Sequence, residues 1–161
     1  MTTVIYPGTF DPITNGHLDI ATRAARLFDK LVIGVYQNPD KHVLFTPKER
    51  AEMVSQAVAD LPNVEVKIFS GLTINFAREV GAKTIVRGLR MSADFEREFD
   101  LAMMNKKLCP EVELICLMSD LTYQFLSSSL LKEAASLGGD IENFVPQIVA
   151  KALRRKVNNQ M

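Results

Sequence analysis

The chain has 161 residues, 47% of them hydrophobic and 24% charged, with 19 basic against 19 acidic side chains. A chain of this length and make-up can bury a full core, which excludes disordered, collagenous and fibrous classes. Zero net charge removes any global electrostatic reason to expect nucleic acid or an acidic membrane as partner, yet permits a local basic cluster around a small anion.

The opening, Met1 to Pro7, has no basic start and no apolar stretch of the kind that directs secretion, so a cytoplasmic protein is expected. Val4–Tyr6 then reads as a first strand. A helical period follows, with Leu18, Ala21, Ala25 and Phe28 on one face. Leu31–Tyr36 is the second strand. Thr46, Pro47 and Glu49 stand as N-cap, first helical residue and capping-box partner of a second helix, whose inner face carries Met53, Val54, Ala57 and Leu61. Val64–Phe69 is the third strand, and a third helix from about Ile74 to Val80 stops at Gly81. Thr84–Val86 is the fourth strand. A fourth helix, from about Ser92, is expected to turn Phe95, Phe99 and Met103 inward and to end before Pro110. Leu114–Met118 is the fifth strand, and helices near Ser129–Leu137 and Pro146–Lys156 close the chain, with Gly138-Gly139 between them.

No repeat or linker interrupts the series, so residues 1–161 are expected to form a single domain. Each crossover between strands is long enough for a helix. The expected fold is therefore α/β: a Rossmann-like, doubly wound, five-stranded parallel sheet with strand order 3-2-1-4-5 and C-terminal helices. In such a sheet ligands collect beyond the carboxyl ends of the strands, where the order reverses, here between strands one and four.

The loops at those ends carry unusual residues. After strand one comes Pro7-Gly8-Thr9-Phe10-Asp11-Pro12-Ile13-Thr14-Asn15-Gly16-His17. Two prolines and two glycines hold the loop tightly, and His17 falls in the first helical turn beside unpaired N–H groups, a setting for phosphate. The plain alternative is a capping Thr14 or Asn15 with a surface histidine. After strand four, Arg87 and Arg90 bracket Gly88-Leu89, suited to forked recognition of phosphate or, alternatively, to pairing with Asp94, Glu96 or Glu98. Beyond strand five, Tyr123-Gln124-Phe125-Leu126 leads into Ser127, Ser128 and Ser129, more hydroxyls than one cap needs. Lys41, after strand two, is either a mobile cation or a solvated lysine, and His42 is expected at the surface.

Neither G-x-x-x-x-G-K-[ST] nor G-x-G-x-x-G occurs, which disfavours a P-loop NTPase and a standard dinucleotide-binding module. H-E-x-x-H and G-x-S-x-G are also absent. Cys109 and Cys116 lack metal-site spacing and are expected as reduced core cysteines. The polar set of Thr, His, Lys, Arg and Ser donors suits phosphoryl or nucleotidyl transfer, where positioning and charge stabilisation dominate. No metal ligand set is expected from the protein.

Thr14-Asn15-Gly16-His17 resembles the [HT]-x-G-H signature of the nucleotidylyltransferase superfamily. Taken with Tyr6–His17, Val86–Arg90 and Ser127–Ser129, it makes the chain similar, over essentially its whole length, to the bacterial phosphopantetheine adenylyltransferase family. Leu126 stands where isoleucine is expected, a conservative change. The resemblance implies transfer of adenylyl from ATP to 4′-phosphopantetheine, giving dephospho-coenzyme A and pyrophosphate, with Mg²⁺ and in a homohexamer. It implies His17, Thr9, Lys41 and Arg90 as catalytic residues. It implies Thr9, Phe10, His17, Gly88, Leu89, Arg90, Glu98 and the run Tyr123, Gln124, Phe125, Leu126, Ser127, Ser128, Ser129 at ATP. Thr9, Lys41, Arg87 and Thr73 would meet the acceptor, Thr73 lying in the variable stretch that lines the pantetheine arm.

Overall fold

A computed structural model of the chain describes residues 1–160. Its strands are β1 (Thr3–Gly8), β2 (Lys30–Tyr36), β3 (Val64–Phe69), β4 (Thr84–Leu89) and β5 (Glu113–Met118). The helices are α1 (Asn15–Leu27), α2 (Pro47–Ala57), α3 (Thr73–Glu79), α4 (Ser92–Leu108), α5 (Ser128–Ser136) and α6 (Gln147–Gln160). One 3₁₀ turn, Leu121–Tyr123, precedes α5 and was not foreseen from the sequence. All strand pairs are parallel and the order is β3-β2-β1-β4-β5, as expected.

Alternation along the strands divides the core between two faces. Val4 and Tyr6 of β1, Leu31, Ile33 and Val35 of β2, and Val86 of β4 pack with α1, α2, α5 and α6. Ile5, Val32 and Ile85 point the other way, into a smaller cluster with Ile74, Phe76 and Ala77 of α3, and with Cys109 and Val112. In that smaller cluster Phe69 and Phe76 stack with centroids 4.4 Å apart. Gly34 is required there, since a Cβ at its position would lie 2.5 Å from the Phe76 ring.

β1 and β2 stay paired from Thr3–Lys30 to Gly8–Val35, and β4 and β5 from Thr84–Glu113 to Leu89–Met118. By contrast β1 and β4 pair only at Val4–Thr84 and Ile5–Ile85. Beyond that point the two central strands part, and the sheet opens at its carboxyl edge where the strand order reverses.

Three expectations need correction. β4 runs through Arg87, Gly88 and Leu89, so these are strand residues rather than a loop. Phe28 caps α1, and Leu61 lies past the end of α2. The largest change concerns α4: Phe95, Phe99 and Met103 are each at least 50% exposed, not inward. The side of α4 that turns to the sheet and cleft mixes polar residues with Leu101, Ala102 and Leu108. It carries Glu98, which is buried, and Asp94 and Asn105, which are half-buried. Cys109 is buried, whereas Cys116 is only half-buried, and both are free.

Candidate active site

The gap between β1 and β4 widens into a cleft of about 950 Å³. Its floor is the loop after β1. Gly8 lets this loop fold tightly, because a Cβ there would lie 2.9 Å from the Phe10 ring, and Phe10 turns the chain with a left-handed φ of 50°. The Phe10 ring then packs edge-on to His17, with centroids 5.2 Å apart.

His17 occupies the third position of α1, where a capping box normally places Glu or Gln. The Thr14 hydroxyl accepts from the His17 backbone N–H at 3.3 Å, and the Thr14 backbone N–H donates to His17 Nδ1 at 3.0 Å. Nδ1 is thus an acceptor, which leaves the ring proton of the neutral imidazole on Nε2. Burial, and then the charges of Arg90, Arg87 and Lys41, push the His17 pKa down to about 4. At neutral pH the side chain is therefore an uncharged donor with one defined N–H. The cap reading and the phosphate-site reading hold together, because the cap orients the imidazole.

The two arginines are held from both sides of the cleft. Arg87 donates through Nε to Glu98 Oε1 at 2.9 Å and through a terminal nitrogen to the Pro7 carbonyl at 2.8 Å, spanning the separation of β4 from β1. Arg90 donates through Nε to Asp94 Oδ2 at 3.1 Å and through a terminal nitrogen to the Leu126 carbonyl at 3.0 Å. Burial works against the charge on Asp94, but hydrogen bonds from Arg90 outweigh it and keep the carboxyl below its ordinary range. Both guanidiniums thus have the carboxylate partners anticipated as the plain alternative, and both also line the cleft. Glu98 keeps a second oxygen, Oε2, buried with no hydrogen-bond partner among the described residues. It is a buried acceptor without a donor, on a residue that lines the cleft.

The serines divide their tasks. Ser127 caps α5 by accepting from the Leu130 N–H at 3.1 Å, and Ser128 donates to the Pro12 carbonyl at 2.8 Å, tying α5 to the first loop. Ser129 lines the cleft beside them. Lys41 reaches the cleft from an exposed segment, and its pKa is lowered by burial and then by Lys132. His42, exposed as expected, also lies on the rim.

Of the residues singled out in the sequence, the cleft brings together Thr9, Phe10, His17, Lys41, Thr73, Arg87, Gly88, Arg90, Glu98, Tyr123, Leu126 and Ser127 to Ser129. It leaves out three. Leu89 is buried in the structure, Gln124 is exposed, and Phe125 is exposed with its ring edge-on to Phe144. Sequence reasoning missed Lys132, one helical turn below Ser128 and Ser129 on α5 and therefore on the same face. It also missed the apolar lining that Leu101, Met104, Leu108 and Leu114 give the cleft, with Asn105 among them. Among the described residues, no three His, Cys, Asp or Glu side chains gather as a metal site. The acidic groups that reach the cleft are already paired with Arg87, Arg90 or Lys132.

The cleft lies at the topological switch point and gathers cations, hydroxyls and one imidazole from the ends of β1, β2, β4 and β5, a donor set suited to nucleotidyl transfer. The cytidylyltransferase-like family matches residues 5–134, and the chain belongs to it. Within that family it belongs with the phosphopantetheine adenylyltransferases. It is 52% identical to the protein of that name from Alkaliphilus metalliredigens, over 94% of this chain and 97% of that one. It is 49% identical to the one from Clostridium tetani, over 99% and 100%, and 53% identical to that of Thermomicrobium roseum, over 94% and 93%. A solved structure from Vibrio parahaemolyticus, provisionally named a nicotinate-nucleotide adenylyltransferase, superposes with a TM-score of 0.74 over 100% of this chain and 98% of its own. At 18% identity that likeness shows the shared fold alone.

Proposed function

We propose that the chain transfers the adenylyl group of ATP to 4′-phosphopantetheine, releasing pyrophosphate and forming dephospho-coenzyme A. The observation that carries this reading is the convergence of one neutral imidazole N–H and two braced guanidiniums on the parting of β1 and β4. Family membership supplies the substrate class, and the cleft has a matching mixture of groups. Its lining combines cations and hydroxyls with apolar residues and one amide side chain, Asn105, and includes Gly71, Leu72 and Thr73.

The acceptor phosphate, with a second pKa of about 6, is already largely dianionic at neutral pH and attacks without a general base. The tasks left to the protein are in-line placement and stabilisation of the oxygens around the α-phosphorus. His17 Nε2–H donates to the transferring phosphoryl. Thr9 orients the attacking phosphate, and Lys41 and Arg87 hold it. Arg90, Gly88 and the Ser127–Ser129 turn receive the nucleotide phosphates. Glu98 Oε2, the orphaned acceptor, takes a donor from the adenosine. Among the described residues no three His, Cys, Asp or Glu gather as a metal site, and Mg²⁺ would be held by the ATP phosphates, whose charge it would neutralise. The apolar stripe Phe95, Phe99 and Met103 is the contact surface of a homohexamer, and the protein works in the cytoplasm. Among the described residues, no helix is long and apolar enough to cross a membrane.

The test is pyrophosphate release from MgATP with a panel of phosphomonoesters. 4′-Phosphopantetheine should be fastest by a wide margin over 4′-phosphopantothenate, nicotinamide mononucleotide and phosphocholine, because remote binding of the arm aligns the reacting phosphate. Preference for nicotinamide mononucleotide would keep the class and reject the acceptor. Silence with every acceptor would make the chain a nucleotide-binding sensor.

A further inference from the structure

One buried carboxylate has no part in the mechanism above. Asp11 is 2% exposed, yet lies in the loop that floors the cleft. Its Oδ1 accepts from the Phe45 backbone N–H at 2.9 Å, and its Oδ2 from the Leu44 N–H at 2.9 Å. Oδ2 also accepts from Lys132 Nζ at 2.6 Å. The three bonds come from two places. Leu44 and Phe45 end the segment that carries Lys41, and Lys132 belongs to α5, whose first turn supplies Ser128 and Ser129.

Beneath this junction lies Arg50, fully buried, which donates to the carbonyls of Thr9, Tyr36, Gln37 and Phe45. Arg50 braces both ends of the Lys41 segment, since Tyr36 and Gln37 precede it and Phe45 closes it. The Asp11 carboxylate is thus paired directly with the ammonium of Lys132 and lies within electrostatic reach of the buried Arg50 guanidinium. A carboxylate without that compensation on the floor of a phosphate cleft would repel the ligands the cleft collects.

We propose that Asp11 and Lys132 are positioning residues for the acceptor: their ion pair locks the root of the Lys41 segment to the first loop and to α5, and so sets where Lys41 meets the acceptor phosphate. The Asp11 carboxylate does the gripping. Lys132 keeps its charge from reaching the bound anions. Arg50 is satisfied by backbone alone and holds the platform on which the lock is built. The substrate named in this inference rests on the reading above, whereas the lock itself does not.

Four variants test it: Lys132→Met, Lys132→Arg, Asp11→Asn and the Asp11→Asn/Lys132→Met double variant. Kinetics are measured with MgATP and 4′-phosphopantetheine, and hydrogen exchange at the Leu44 and Phe45 amides is measured in the ligand-free proteins. Lys132→Met should raise KM for the acceptor about tenfold or more, with kcat and KM for ATP changed less than about threefold. Lys132→Arg should restore the acceptor KM to within about threefold. The double variant should show the acceptor KM of Asp11→Asn alone, because without the carboxylate Lys132 has no charge left to compensate. Exchange at Leu44 and Phe45 should quicken about tenfold or more in Asp11→Asn. The proposal is overturned by an unchanged acceptor KM in Lys132→Met, by a defect that arginine does not rescue, or by exchange at both amides that ignores Asp11→Asn. If the wild-type protein fails to use 4′-phosphopantetheine, the substrate reading falls, and the exchange measurement alone decides the lock.

Discussion

The two faces of the sheet are built differently. One is closed by α1, α2, α5 and α6 over a continuous apolar core that includes Ile20, Leu131, Val149 and Leu153, all at most 2% exposed. The other is covered by α3 over a small cluster and by α4, whose sheet-facing side holds Asp94, Glu98 and Asn105 while its phenylalanines point outward. The difference is one of task. The sealed face supplies stability. The thin face gives up apolar burial so that α4 can present carboxylates to Arg87 and Arg90. A helix that braces cations in a cleft cannot also seal the core along the same stripe, and its apolar residues divide between the cleft, lined by Leu101, Met104 and Leu108, and the outer face of Phe95 and Phe99.

That contrast can be broken or sharpened in several ways. Leu131→Ala, on the sealed face, should cost about 2–5 kcal/mol of unfolding free energy in denaturant titration, the usual result for a buried leucine. A cost below about 1 kcal/mol would mean that this face is not the main store of stability.

In the cleft, His17→Ala should lower kcat at least about 10²-fold, the loss of one preorganised donor, with a modest change in ATP binding. It should also cost about 1 kcal/mol of stability, since His17 completes the cap of α1. Near-normal kcat would leave His17 a capping residue only.

The same imidazole makes stability depend on pH. Its folded pKa of about 4 lies below the ordinary 6.5, so between these values the unfolded chain takes up a proton that the native chain does not. The His17 contribution is therefore complete above about pH 6.5 and is lost as pH falls toward 4, by about 1–3 kcal/mol. Comparing wild type with His17→Gln in urea at pH 7.5 and pH 4.5 checks the sign. A gap between the two proteins that does not change with pH would contradict it.

Lys41→Ala should raise KM for the acceptor about tenfold while leaving KM for ATP nearly unchanged, and equal kinetics would remove Lys41 from the site. The smallest effect on folding should come from the thin face. Phe99→Ser, at a site 54% exposed, should change chain stability by less than about 1 kcal/mol yet reduce the assembled mass in sedimentation velocity. An unchanged mass would remove this stripe from the proposed subunit contact.

Much of the fold was legible because its signals are local. β-branched runs marked the strands, Thr46-Pro47-x-Glu49 marked the start of α2, and long crossovers implied parallel pairing. The site was legible where loop chemistry was unusual, as at His17, Arg87 and Arg90. What stayed hidden depends on tertiary placement. A 3.6-residue period shows that α4 has an apolar stripe, but nothing in Phe95, Phe99 and Met103 states whether sheet or solvent lies opposite. Likewise the grip of Asp11 on Leu44 and Phe45 joins residues more than 30 positions apart through backbone amides, which carry no side-chain signature. Lys132 was within reach of the sequence, since it lies one turn from two serines already suspected.

The central claim is that this cleft works by placement and charge, with the acceptor phosphate attacking the α-phosphorus directly. The stereochemistry of transfer from ATP carrying sulfur and a chiral label at the α-phosphorus tests it most directly. A single in-line displacement predicts inversion at phosphorus in the dephospho-coenzyme A analogue formed. Retention would require two displacements and a covalent adenylyl-protein intermediate, and would contradict the account.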